Sequence, residues 1–276
     1  MISPGTAGTW NEQGVTKPTV LLHNGTYYLW YVGFDSNGKA SLGFSSSTTG
    51  LNWTPSPNNP IFNACAAPSW CESYHSVDTL FHHNGSFHLW FQGVDASNDR
   101  RLGYATSTNG TVWTPENGLN PVFETGASGQ WDDGKLQGAA ILPTDTGFAL
   151  WYSAGDGSGN VGIGHAASVD GINWSRSGNN PLFVDPAKPR GLRVFHEGPL
   201  YSIFYANLNS GVHLATSLDN VNWTAYASNP VVPVGAASSW DEGISGIAMW
   251  RAAPDTIWMW YSGGNSGSIG AARITP

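Results

Sequence analysis

Four carboxylates stand two residues after a tryptophan: Glu12 after Trp10, Glu72 after Trp70, Asp133 after Trp131 and Glu242 after Trp240. Paired carboxyls can divide general-acid and general-base work between them, and an indole can serve as a platform for a sugar ring. Glu72 is therefore a candidate catalytic group, and Trp70, Glu12 and Asp133 are candidate substrate-binding groups. Repetition argues for a scaffold role instead. Chemistry needs one or two unique groups, whereas a repeating framework needs the same group in each unit, here to satisfy backbone donors where units meet. Unrepeated charges are better chemical candidates. Lys17 is one, at the start of a predicted strand. Arg190 and Arg193 flank Gly191 in the one unit that lacks the tryptophan lead-in, and a break in an otherwise consistent pattern is where function concentrates. His82-His83 falls at a predicted hairpin turn, where adjacent side chains diverge, and it lacks a third metal ligand. No metal or cofactor signature is found.

These residues are positioned by a repeat. Leu29-Trp30-Tyr31, Leu89-Trp90-Phe91, Leu150-Trp151-Tyr152, Ile203-Phe204-Tyr205 and Met259-Trp260-Tyr261 are one position met five times. A second marker follows in four units, at Trp53, Trp113, Trp174 and Trp223. Repeats of this length indicate a propeller, solenoid or array. Within a unit, Thr19 to Leu22 is an apolar strand, and Asn24-Gly25 is a hairpin turn signal. Tyr27 to Val32 and Ser41 to Ser46 follow as strands, and Asn59-Pro60-Ile61-Phe62 reads as an outer strand, where proline is tolerated. Four short strands repeated radially make a blade. The expected fold is all-β, a five-bladed β-propeller with four-stranded blades, one domain over residues 1–276. Unit five stops after its third strand. The segment from Ile2 to Trp10 matches that from Ile61 to Trp70 to within one residue, so the N-terminus is expected to supply the missing strand and close the ring.

Composition narrows the partners. A formal charge of −8 with only 11 Lys and Arg opposes nucleic acid, whose phosphates demand a basic face, and an anionic membrane surface for the same reason. No apolar run approaches the roughly 20 residues of a membrane span. Cys65 and Cys71 share one loop, and a loop-closing disulfide or two free thiols are the alternatives. The disulfide would place the chain outside a reducing cytosol. The segment after Met1 enters repeat sequence at once, as in a mature secreted form given a new start.

With its units aligned, the chain resembles the five-bladed propellers of the furanosidase superfamily, which includes arabinanases, β-xylosidases, invertases and mannoside phosphorylases. The resemblance rests on the tryptophan–acid lead-ins, the Leu-Trp-Tyr strands, the stretch Ala167-Ser168-Val169-Asp170-Gly171-Ile172-Asn173-Trp174 and the Asn-Pro outer strands. In the arabinanase-like members it implies three acids around an axial pocket: an Asp base in blade one, an Asp that tunes the acid in blade two, and a Glu acid in blade three. Inversion needs two carboxyls about 6.5–9.5 Å apart. Here the blade-one Asp-Pro falls on Lys17-Pro18, the blade-two Asp on or next to Asp78, and the blade-three Glu-Gly on Gln137-Gly138. One acid of three survives.

Three functions are open to such a chain. The leading one is glycoside hydrolysis of a plant or microbial glycan at an axial pocket. Asp78 would then work with Glu12, Glu72 or Asp133, His75 would act as acid or base because imidazole titrates near neutrality, and Lys17 and Arg193 would orient substrate. The second is a non-catalytic lectin or pseudo-enzyme in which Lys17 and Gln137 donate hydrogen bonds to sugar. The third is lyase-type elimination from a uronate, with Lys17 or His75 as the base and Arg193 on the carboxylate. The expected partner is an oligo- or polysaccharide, the expected state a monomer, and the expected location extracellular or periplasmic.

Overall fold

The computed structural model describes residues 2–63, 65, 69–115, 121–156, 158–186, 188–253, 255–264 and 267–274, with the backbone alone of Tyr74 and His75. Every regular element among them is a strand, and the strands form five antiparallel blades. The inner strands are Gly14–His23, Ser73–His83, Leu136–Thr144, Arg190–Glu197 and Ile244–Ala253. Each pairs with a second strand carrying the aromatic triplet, and that strand pairs with a third. The five inner strands contact one another around the axis.

The outer strand differs from the expectation: it is split. In blade one, Thr54–Pro55 and Phe62–Asn63 each pair with the third strand, and the gap between them is bridged by a side chain. Phe44 donates its N–H to Asn59 Oδ1 at 2.9 Å, and Asn59 Nδ2 donates to the Phe44 carbonyl at 2.9 Å. The amide of Asn59 thus imitates a peptide group beside Pro60, which has no N–H to give. Asn180 and Asn229 do the same for His165 and Leu214.

The lead-in tryptophans pack inward onto glycine pairs. A Cβ on Gly33 or Gly43 would collide with Trp10, one on Gly93 or Gly103 with Trp70, and one on Gly263 or Gly270 with Trp240. Trp70 also stacks on Phe91 at 5.9 Å. These indoles, Trp70 included, are blade cement.

The seams between blades carry a second device. Trp30, Trp90 and Trp260 donate their indole N–H to the carbonyls of Gly110, Gly171 and Gly50 in the next blade, at 2.8, 3.0 and 2.7 Å. These glycines adopt φ between +74° and +76°, which turns the carbonyl toward the seam. Trp151 instead donates to Asn220 Oδ1 at 2.7 Å, and Phe204 has no N–H for the fourth seam.

The ring closes as the sequence implies. Ile2 and Ile269 exchange both backbone hydrogen bonds, at 3.0 and 2.9 Å, and Ile2 is buried. Burying an isoleucine contributes about 1.5–3 kcal/mol. Deleting residues 1–6 should therefore lower the melting temperature by roughly 5 °C or more, read by calorimetry; an unchanged midpoint would mean that closure does not depend on this strand.

The two cysteines form a disulfide, with Cα atoms 5.2 Å apart. Its origin is visible in the repeat. In blades one, three and five the same loop is closed by Gly5, Gly126 and Gly235, whose absent Cβ leaves room for Asn11, Asp132 and Asp241. Asp132 and Asp241 accept the hydroxyls of Tyr152 and Tyr261, each at 3.0 Å. Blade two has Cys65 for the glycine, Cys71 for the acid and Phe91 for the tyrosine, so a covalent bond occupies the place of that hydrogen bond. The double substitution Cys65→Ser/Cys71→Ser should cost about 2 kcal/mol for so short a loop, and a fall of several degrees in the melting temperature checks it.

Candidate functional site

The inner strands all break register at their first residues, around one end of the axis. The irregularities lie between Thr16 and Thr19, Tyr74 and Ser76, Val77 and Thr79, Leu136 and Gly138, Arg190 and Arg193, and Ile244 and Gly246. Bulges re-aim side chains and gather at sites. Lys17, His75, Asp78 and Gln137 all fall within these breaks. The His75 side chain lies outside the described residues.

Close backbone approach dictates which residues fit. A Cβ on Gly138 would lie 2.6 Å from Gly191 N, one on Gly191 would meet Gly246 Cα at 3.5 Å, and one on Gly246 would meet Lys17 Cα at 3.1 Å. Glycine thus lines the collar in blades three to five, and Lys17 completes it. Its φ of +54° is the left-handed conformation that favours glycine, and Pro18 follows it directly. A lysine held there bears strain, which is characteristic of functional positions.

Asp78 is 4% exposed. Ser76 Oγ donates to Oδ1 at 2.5 Å, and Gln92 Nε2 donates to Oδ2 at 2.7 Å. Burial pushes its pKa up, against the opposing pull of these two bonds and of Arg193 and Lys17. Lys17 Nζ donates to the Ser245 carbonyl in blade five. Its pKa falls to about 8, chiefly through burial and then the charges of Arg100, Arg190 and Arg193, with Asp78 opposing. Arg100 donates through Nη1 to the Leu136 carbonyl and to Gln137 Oε1, both at 3.3 Å. Gln92 Oε1 and Arg100 Nε are buried and carry no hydrogen bond among the described residues.

Arg193 forms the floor. Its Nη1 donates to the carbonyls of Asp78 at 2.9 Å and Leu192 at 2.7 Å, and its Nη2 to the Pro18 carbonyl at 3.1 Å and Thr19 Oγ1 at 3.0 Å. One guanidinium from blade four therefore ties blades one and two, and burial lowers its pKa to about 10. Both terminal nitrogens are engaged by protein acceptors.

The mouth gathers Lys17, Arg100, Arg190 and Arg193, four of the chain's eleven cations, around Asp78, in a molecule of net charge −8. Among the described residues, Asp78 is the one carboxylate whose charge acts on Lys17. The other carboxylates considered as its partners are engaged by their own loops. Glu12 accepts the N–H of Gly8, Glu72 that of Ser69 at 3.0 Å, and Asp133 that of Gly129 at 2.7 Å. Sequence reasoning missed Ser76, Gln92 and Arg100. Gln92 was detectable as the odd member of a position held elsewhere by Val32, Ser153, Ala206 and Ser262. Among the described residues no three His, Cys, Asp or Glu side chains gather as a metal ion would require, and no helix is long and apolar enough to cross a membrane.

No protein-family model matches the chain, and no curated protein matches it by sequence. Solved structures do match by shape. The protein BT0996, in an RGII complex, aligns with a TM-score of 0.78 and 16% identity over 99% of this chain and 90% of its own. A family 117 glycoside hydrolase, Zg3597 of the marine bacterium Zobellia galactanivorans, aligns at 0.69 and 14%, over 99% and 88%. An N-acetylgalactosamine deacetylase from F. plautii, in complex with blood group B trisaccharide, aligns at 0.69 and 17%, over 99% and 94%. At these identities the likeness establishes the fold, a five-bladed propeller of the kind found in glycoside hydrolases.

Proposed function

We propose that this chain is a carbohydrate-active enzyme that cleaves a glycosidic bond of an anionic saccharide at the axial mouth. The observation that carries the substrate class is the gathering of Arg100 and Arg190 beside Lys17 and Asp78 in an acidic protein. The enzyme class is supported by a fold shared with glycoside hydrolases, which is analogy, and by two groups whose pKa values burial drives toward neutrality from opposite sides. Burial raises Asp78 and lowers Lys17 to about 8, shifts in the directions that suit an acid and a base. Opposed shifts of this kind assign acid and base. Arg100 and Arg190 would hold the substrate's anion, Gln137 its hydroxyls, and Gln92 would hold Asp78 in place. The disulfide supports an extracellular or periplasmic location.

In hydrolysis, Lys17 would draw a proton from the attacking water while Asp78 protonates the leaving oxygen. Elimination is a second reading, favoured by the arginines. Lys17 would then take the proton beside a uronate carboxylate, the carbon–oxygen bond to the leaving sugar would break as Asp78 protonates that oxygen, and a double bond would form in the ring.

Product analysis on a panel of uronate-containing and neutral polymers tests both. Release from anionic polymers alone is expected, with kcat/KM rising with pH along a limb near pH 8 as Lys17 loses its proton. Solvent oxygen in the new reducing end would mark hydrolysis, and ultraviolet absorbance of an unsaturated product would mark elimination. Cleavage of neutral polymers only would overturn the substrate class. Binding of a polymer without any product would leave a lectin.

A further inference from the structure

A cleft of about 1130 Å³ opens between blades three and four, lined at one end by the far turn of blade three at Asp145. The inner strand runs from Gln137 at the axial mouth to this turn, which at about 3.3 Å per residue separates the two places by roughly 25 Å. The cleft therefore belongs to the opposite face and is separate from the axial site.

Departures from the repeat create it. The second-strand position filled by Tyr28, His88 and Trp258 in blades one, two and five is Ala149 in blade three. At the first seam Tyr28 reaches Phe87 at 6.5 Å, and at the second His88 reaches Phe148 at 6.3 Å. Those rings fill the space that Ala149 leaves open. The seam contact differs at the same place, since Trp151 binds the side chain of Asn220 where its counterparts bind a glycine carbonyl.

The walls have defined chemistry. His196 stacks on Tyr201 with ring centroids 3.8 Å apart and planes 7° from parallel, and Tyr201 leans on Trp151 at 6.0 Å. His165 closes the side, its Nδ1 fixed by Ser177 Oγ at 2.7 Å and its pKa lowered by burial. The rim presents Asp145, Asn173 and Ser175, and no lysine or arginine lines the cleft among the described residues. An extended aromatic surface with polar groups at its edge suits a ring that is apolar on its faces and hydroxylated at its rim. Without lysine or arginine the cleft lacks the fixed positive charge of the axial mouth, and Asp145 adds a negative one.

We propose that this rear cleft is a second saccharide-binding site, selective for neutral glycan and built on the Tyr201–His196 pair. It would hold a neutral stretch of polymer while cleavage occurs elsewhere. The probe is a set of neutral hexaoses (xylo-, arabino-, galacto-, gluco- and manno-) titrated by calorimetry. At least one should bind the wild type. Tyr201→Ala should weaken that binding tenfold or more, and Ala149→Tyr, which installs the residue blade one already carries, should abolish it with the melting temperature held. Asp78→Asn should leave it unchanged, separating this site from the axial one. Should Ala149→Tyr fail to fold, Tyr201→Ala decides. Failure of every hexaose to bind the wild type, or equal binding by the wild type and both cleft variants, would overturn the proposal. Because no turnover is needed, the result is independent of whether the axial mouth cleaves anything.

Discussion

Lys17→Gly should abolish turnover and, at the same time, make the protein more stable. The two effects have separate causes. Loss of a positioned base removes about 10²–10⁴ in rate, and Lys17 is the described group whose pKa, near 8, suits that task. Stability rises because glycine suits φ +54°, as it does at the collar residue Gly191 with φ +53°, and because a desolvated amine among three arginines is gone. Strain relief and desolvation, set against the lost bond to the Ser245 carbonyl, the lost counter-charge to Asp78 and the entropy of an added glycine, leave the variant favoured by about 1 kcal/mol, or roughly 2–4 °C. The pH dependence follows with a definite sign. The folded pKa of about 8 lies below the unfolded 10.5, so between these values the unfolded chain holds a proton that the native state has released. Wild-type stability should therefore gain from this group as pH rises through that window, and the variant should lack that gain. Calorimetry from pH 6 to 10 beside an activity assay on an anionic polymer checks both halves. A less stable, fully active variant would make Lys17 a structural residue.

The sequence was most legible where the repeat speaks. Five aromatic triplets define five second strands, and the short fifth unit announces that Ile2 must complete it. It was less legible at the outer strand, because the substitution of an amide side chain for a peptide group at Asn59 leaves no period in the pattern. The repeated carboxylates were readable as scaffold through their repetition, although they cap donors in their own loops and not at the seams between blades. At the mouth, the resemblance to the furanosidase propellers pointed to Lys17, Asp78 and Gln137, each of which the structure places in a bulge. Arg100 escaped notice because it starts a third strand, and no linear spacing shows that its guanidinium reaches Gln137 in the next blade. The environment of Arg193 was likewise unreadable, since its partners lie in blades one, two and four and no linear spacing encodes a reach across the axis.

Arg193→Ala should be the most destabilising single change in the site. The side chain makes four hydrogen bonds, three to backbone carbonyls in the interior. Truncation strands the carbonyls of Pro18 and Asp78, each at a cost of about 1–3 kcal/mol, and deprives buried Asp78 of a compensating charge. A loss of about 3–5 kcal/mol follows, on the order of 10 °C. Asp78, already raised, should move further up. A carboxyl whose folded pKa exceeds its unfolded one favours the native state below the unfolded pKa and loses that contribution as pH rises through the folded value, so the variant should be relatively less stable near neutrality than in mild acid. Arg193→Lys should rescue little, because an ammonium cannot span the same fork of acceptors. The competing role, a guanidinium that binds the substrate's anion, makes the opposite forecast. There, the alanine variant would keep its melting temperature and lose affinity, and lysine would restore much of it. Thermal and binding measurements on the two variants separate a floor from a ligand, and the engagement of both terminal nitrogens by protein acceptors favours the floor.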